Sequence, residues 1–128
     1  MRTTTGKLRN RMHGFSEDLK LDGVIGSEIQ QICLGRYDVQ FLFGSGTRIC
    51  VQSLVEVFEG EELVATWDEE RNWTTTAFQK LLSETVDSYA VLNKQVMEIR
   101  FQNKLQLRLH DNSTQYQSLQ IYPEFIVI

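Results

Sequence analysis

Residues 39–51 read VQFLFGSGTRICV, and residues 97–109 read MEIRFQNKLQLRL. Each is two short apolar-alternating runs around a turn. Val39, Phe41 and Phe43 match Met97, Ile99 and Phe101 at an offset of 58 residues, and Ile49 and Val51 match Leu107 and Leu109 at the same offset. The turn Gly44-Ser45-Gly46 falls where Gln102-Asn103-Lys104 stands in the second copy. Glycine supplies the positive φ of a tight hairpin turn, and Asn103 is the expected substitute in the second copy. Upstream, Ile25, Ile29 and Ile32 match Leu82, Val86 and Tyr89 after a one-residue slip.

The alternation assigns faces. Leu105, Leu107 and Leu109 point one way while Gln106, Arg108 and His110 point the other; Ile49, Val51, Val55 and Val57 share a parity opposed by Cys50 and Gln52. This is the pattern of antiparallel sheet with one wet face. An isolated hairpin is marginal in water, so each copy needs the other to cover its apolar side. The expected fold is mainly β: two similar antiparallel units packed as a sandwich or partly closed barrel, forming one duplicated domain over 21–128 with repeat units near 21–58 and 78–122.

Helix signals are sparse. TTTAFQKLLSE (74–84) carries threonine N-cap candidates followed by Phe78, Leu81 and Leu82, which predicts a short bridging helix near 75–83. In residues 1–20, Leu8, Met12, Phe15 and Leu19 fall on one helical face interrupted by Gly14, so this basic stretch reads as a tail or a short helix.

A chain of 128 residues is long enough to bury a real core, and no apolar run approaches the length of a membrane span. No secretory signal pattern is present at the N-terminus, which predicts a cytosolic protein. Cys33 and Cys50 sit beside strand-like runs and read as reduced thiols; a disulfide would require their strands to be neighbours. Only His13 and His110 are available as imidazole ligands, so no metal or other cofactor is expected. The net charge of −4 argues against a nonspecific nucleic-acid binder.

Charge is distributed unevenly. Between Ile49 and Glu70 there is no lysine or arginine, yet Glu56, Glu59, Glu61, Glu62, Asp68, Glu69 and Glu70 lie there, next to Trp67 and Trp73. As solvated turns these acids need no further explanation. As one patch with aromatic anchors they would steer a basic protein partner. Trp67 also ends the alternating run Leu63, Ala65, Trp67, which reads equally as core. Catalytic signals are weak: His110, Asp111 and Ser113 contain triad residue types, but adjacent strand residues face opposite ways and cannot orient one another. The Gly-Ser-Gly cluster lacks a P-loop's lysine and following helix.

Leu21-x-Gly23, Ile29, Ile32, Gly35, VQFLF, a glycine turn and RICV, with a late Tyr116-x-Ser118-x-x-Ile121, resemble a family of small uncharacterised bacterial domains with a duplicated strand pattern. The second hairpin departs from that pattern in lacking a turn glycine. The resemblance implies, by analogy with small acidic proteins encoded beside toxins, a cytosolic immunity protein that occludes a basic toxin domain, such as a nuclease. Two other functions are compatible with the residues. One is a structural protein that dimerises through an edge strand, FIVI or YQSLQI. The other is a ligand carrier or enzyme with a pocket between the halves.

Overall fold

The computed structural model describes residues 15, 19–68, 77–111, 119–122 and 126–127. Two five-stranded antiparallel sheets pack face to face. The first half of the chain supplies β1 (Ile29–Leu34), β2 (Val39–Phe43), β3 (Arg48–Val51), β4 (Val55–Glu59) and β5 (Glu62–Trp67). The second supplies β6 (Val86–Asn93), β7 (Val96–Phe101), β8 (Leu105–His110), β9 (Leu119–Tyr122) and β10 (Ile126–Val127).

The strand order contains an exchange. Sheet one runs β1-β2-β3-β9-β10 and sheet two runs β6-β7-β8-β4-β5. Each half therefore builds a three-stranded meander and sends its last hairpin into the other half's sheet. Alternation places the inner faces against each other: Val39, Phe41, Ile49 and Val51 from sheet one meet Val55, Val57, Ile99, Leu107 and Leu109 from sheet two, all fully buried. These apolar side chains fill the space between the halves, where the ligand-carrier reading would need a polar cavity.

The duplication extends to individual hydrogen bonds. Glu28 and Thr85 pair with one another, each the counterpart of the other in the repeat. Around them Gly26 N–H donates to Val86 C=O as Ser83 N–H donates to Ile29 C=O, both at 2.9 Å. Gly44 N–H reaches Glu28 C=O at 2.8 Å as Gln102 N–H reaches Thr85 C=O at 3.1 Å. A bulge at Ile29/Gln31 recurs at Val86/Ser88, and an extra irregularity at Val91/Asn93 accounts for the one-residue slip.

Three expectations need correction. The bridging helix is a single 3-10 turn, Phe78–Leu81, with residues 74–76 outside the described ones. Phe78 and Leu81 are buried at a spacing one 3-10 turn satisfies, and the extended Leu82 followed by Ser83 at φ +69° stops it. The positive φ of the second hairpin falls on Lys104 (+66°), the counterpart of Gly46 (+99°), rather than on Asn103. β9 lies between β3 and β10, so YQSLQI is no edge over its described part; Tyr116 and Ser118 lie outside the described residues. Of the N-terminal stretch, Phe15 is buried and Leu19 packs against the core.

An L-residue in the left-handed region is strained where glycine is not. Lys104→Gly should stabilise the fold by roughly 0.5–1 kcal/mol, the left-handed penalty less glycine's extra chain entropy. Gly46→Lys should cost a similar amount; urea midpoints at unchanged slope check both. The exchange also predicts that cutting the chain at a protease site engineered between Asp68 and Ala77 leaves the halves bound together. Size-exclusion chromatography should show one native-sized species that separates only in denaturant.

Candidate functional site

The acidic run is split by the hairpin that carries it. Glu59 and Glu62 face one another across β4 and β5, with Gly60 at φ +64° and exposed Glu61 forming the turn. Glu59 forms an ion pair with Lys80 at 2.9 Å, both partners about half exposed. Leu63 follows at 46% exposure, because a register shift at Val57/Phe58 removes it from the inward parity of Ala65 and Trp67. Asp68, half-buried, lies beyond the other end of β5. The five residue steps from Glu62 to Trp67 separate these ends by roughly 17 Å. Glu69, Glu70 and Trp73 lie outside the described residues.

Trp67 is not a surface anchor. It is 0% exposed, and its indole N–H donates to Gly35 C=O at 3.1 Å, so the polar edge of the ring is satisfied inside the core. Glu56 leaves the acidic patch for a different reason. It stands on the outer face of sheet two, half-buried, with Oε1 2.6 Å from His110 Nε2. What remains together is the hairpin tip: Glu59, Glu61 and Glu62 beside Leu63.

The outer face of sheet two also holds Glu98, a carboxylate 4% exposed. Arg100 Nε donates to one of its oxygens at 2.6 Å and Arg108 Nε to the other at 2.8 Å. The Arg108 guanidinium lies 4.4 Å from the Phe58 ring centroid, a cation–π contact that covers the pair. Burial by itself raises the Glu98 pKa, but the two guanidinium hydrogen bonds and charges outweigh it and hold the group below its ordinary 4.5. Sequence reading missed this clamp. Its signal was present: Glu98 and Arg100 share the wet parity of β7, and the register brings Arg108 opposite Glu98.

Sheet one presents a different outer face. Cys33 and Cys50 each pair with Gln40, from opposite sides of β2, so their strands are not neighbours. Two strand spacings put their Cα atoms roughly 9–10 Å apart, beyond disulfide reach. Burial pushes the Cys50 thiol up from its ordinary value, which keeps it protonated rather than nucleophilic. Around Cys50 lies an open hollow of about 220 Å³ lined by Asp38, Gln40, Arg48, Gln52, Leu119 and Gln120.

His110 ends β8 with its ring on Glu56, its N–H on Leu54 C=O, and its C=O accepting from Ser53 Oγ. Asp111 turns inward and donates its N–H to Gln95 C=O at 2.8 Å. Ser113 lies outside the described residues. No protein-family model matches the chain, and neither a curated protein nor a solved structure does.

Glu98 adds stability that is complete above its ordinary pKa and is lost as pH falls through the lower value it has in the fold. Glu98→Gln should cost roughly 1–3 kcal/mol near neutral pH by weakening two charge-assisted hydrogen bonds. The gap between wild type and variant should stay constant down to about pH 5 and close below it, as followed by urea unfolding across the acid range.

Proposed function

We propose that this chain is a non-catalytic protein-binding module, most concretely a cytosolic immunity protein that occludes a basic, nuclease-like toxin domain. The observation that carries this reading is the β4–β5 tip, where Glu59, Glu61 and Glu62 cluster at a turn with exposed Leu63 beside them. A convex acidic turn with one apolar contact suits insertion into a positive cleft. Its charges accelerate encounter, and desolvation of the leucine slows release. The packed apolar interior supports a surface role over chemistry between the halves. Trp67 and Glu56 take no part, since one is core and the other is engaged with His110.

The test uses the product of the neighbouring reading frame, in a catalytically silent form, titrated calorimetrically with this protein. Reversing the tip together (Glu59→Lys, Glu61→Lys, Glu62→Lys) should weaken binding at low salt by about tenfold or more. The wild-type affinity should fall with salt more steeply than the variant's. Equal affinities with equal salt slopes would remove the tip from the interface.

A further inference from the structure

Each sheet ends in two edge strands, and β1 is the edge of sheet one that begins the chain's first meander. Its six residues, Ile29–Leu34, carry no charge, whereas the edge strand β5 starts in the acidic tip and the edge strand β6 carries Asp87. β6 and the turn after it also hold neighbouring chain: Leu21 N–H donates to the Tyr89 hydroxyl, and Phe15 N–H donates to Lys94 C=O. Ile32 takes the place of Tyr89 on β1 and has no hydroxyl for this purpose. The direction of the β1 backbone groups follows from its ladder. Gly35 N–H bonds to Asp38 C=O at 2.8 Å, so the hydrogen-bonded pairs beyond this turn are Cys33–Gln40 and Gln31–Leu42. Ile32 and Leu34 therefore aim their N–H and C=O groups away from β2. At the start of the strand Ser83 N–H takes Ile29 C=O, but among the described residues nothing pairs with Ile32 or Leu34 on that side. The only bulge lies at Ile29/Gln31, which leaves Gln31 to Leu34 regular. Natural edges are usually blunted by charge, lysine, proline or a central bulge, and this one is not.

We propose that two copies of this chain pair antiparallel along β1 across a twofold axis, joining their first sheets edge to edge. One register satisfies every outward group: Ile32 pairs with the partner's Leu34, and Leu34 with the partner's Ile32. Cys33 then lies on the axis opposite the partner's Cys33, a non-hydrogen-bonded pair with Cα atoms roughly 4.5 Å apart. The same register brings the partner's Tyr37 level with Ile29, which is bridged to Leu82. Tyr37 is 67% exposed and Leu82 40%, and the pairing sets one against the other twice. A second copy is the fitting occupant because the chain carries a net charge of −4, and β1 is an edge where two such chains meet without like charges opposed. Each copy has one β1, so the assembly closes at two. The β4–β5 tip takes no part, so the dimer stands or falls separately from toxin binding.

Sedimentation equilibrium of the reduced full chain should show a concentration-dependent exchange between monomer and dimer, with no larger species. Diamide takes up the two electrons and two protons released as two thiols become a disulfide. It should cross-link the dimer of the wild type and of Cys50→Ser, and should leave Cys33→Ser without a cross-link. Cys33→Ser should associate as the wild type does. Cys33→Asp sets two carboxylates against each other on the axis and should weaken association by about tenfold or more. Should Cys33→Asp fail to fold, Tyr37→Ala, exposed in the single copy, serves instead and should weaken association severalfold. A strict monomer at high concentration, a cross-link that persists in Cys33→Ser, or association unchanged by Cys33→Asp would each overturn the proposal.

Discussion

Neither half of this chain can complete its own sheet. The crossover from β3 to β4 is three residues, Gln52 to Leu54, and it carries the first half's last hairpin across to pair with β8. In return β9 pairs with β3. The core is thus closed between two sheets that both halves build, and the backbone ladder of each sheet is finished by a hairpin from the other half. Burial and hydrogen bonding become mutual obligations between the halves, which ties their stabilities together. The same arrangement raises the sequence separation of contacting residues, so folding should be slow for a chain of this size.

Duplication gives two copies of one scaffold whose inner faces must remain apolar and whose outer faces are free to differ. They have differed. On sheet two, Glu98 is buried under two arginines, an arrangement in which the desolvation cost of the charge is offset only because both oxygens are satisfied. Breaking one partner of such a clamp leaves a buried charge unpaired, so its loss costs more than the intact arrangement adds over an apolar substitute. On sheet one the same row is neutral, and its central residue is small.

Much of the fold was legible because strand alternation is a direct consequence of backbone geometry. Leu105, Leu107 and Leu109 face the core as their spacing dictates, and the one-residue slip between the repeats marks a real irregularity in β6. The exchange of hairpins was not legible. Val51 and Val55 keep one parity whether β4 stays in its own sheet or crosses, so periodicity is silent on which sheet receives it. The acidic run misled for a related reason. Proximity in sequence does not survive a hairpin, which sends Glu62 and Asp68 to opposite ends of β5. Phe78 and Leu81 satisfy a 3-10 turn as well as an α-helix, and the deciding feature, a left-handed Ser83, leaves no mark in residue type. Leu63 left its expected face because a bulge changed the register, and a bulge is set by pairing rather than by composition.

The hairpin tip is the place where local chemistry and fold disagree most. Glu59 and Glu62 sit directly across the ladder from one another, and like charges so placed destabilise a sheet by a few tenths of a kcal/mol or more. Lys80 relieves one of them, through an exposed ion pair that salt screens. A neutral pair would serve the turn better, since the fold needs only Gly60 at its positive φ there. Local inconsistencies of this kind concentrate where a surface is used for something other than folding. Glu98 makes the contrast clear: the fold surrounds that carboxylate with counter-charge, while it leaves the tip carboxylates largely to solvent. A partner bringing cations to the tip would supply the neutralisation the scaffold itself does not, and the repulsion relieved on binding would add to the attraction gained.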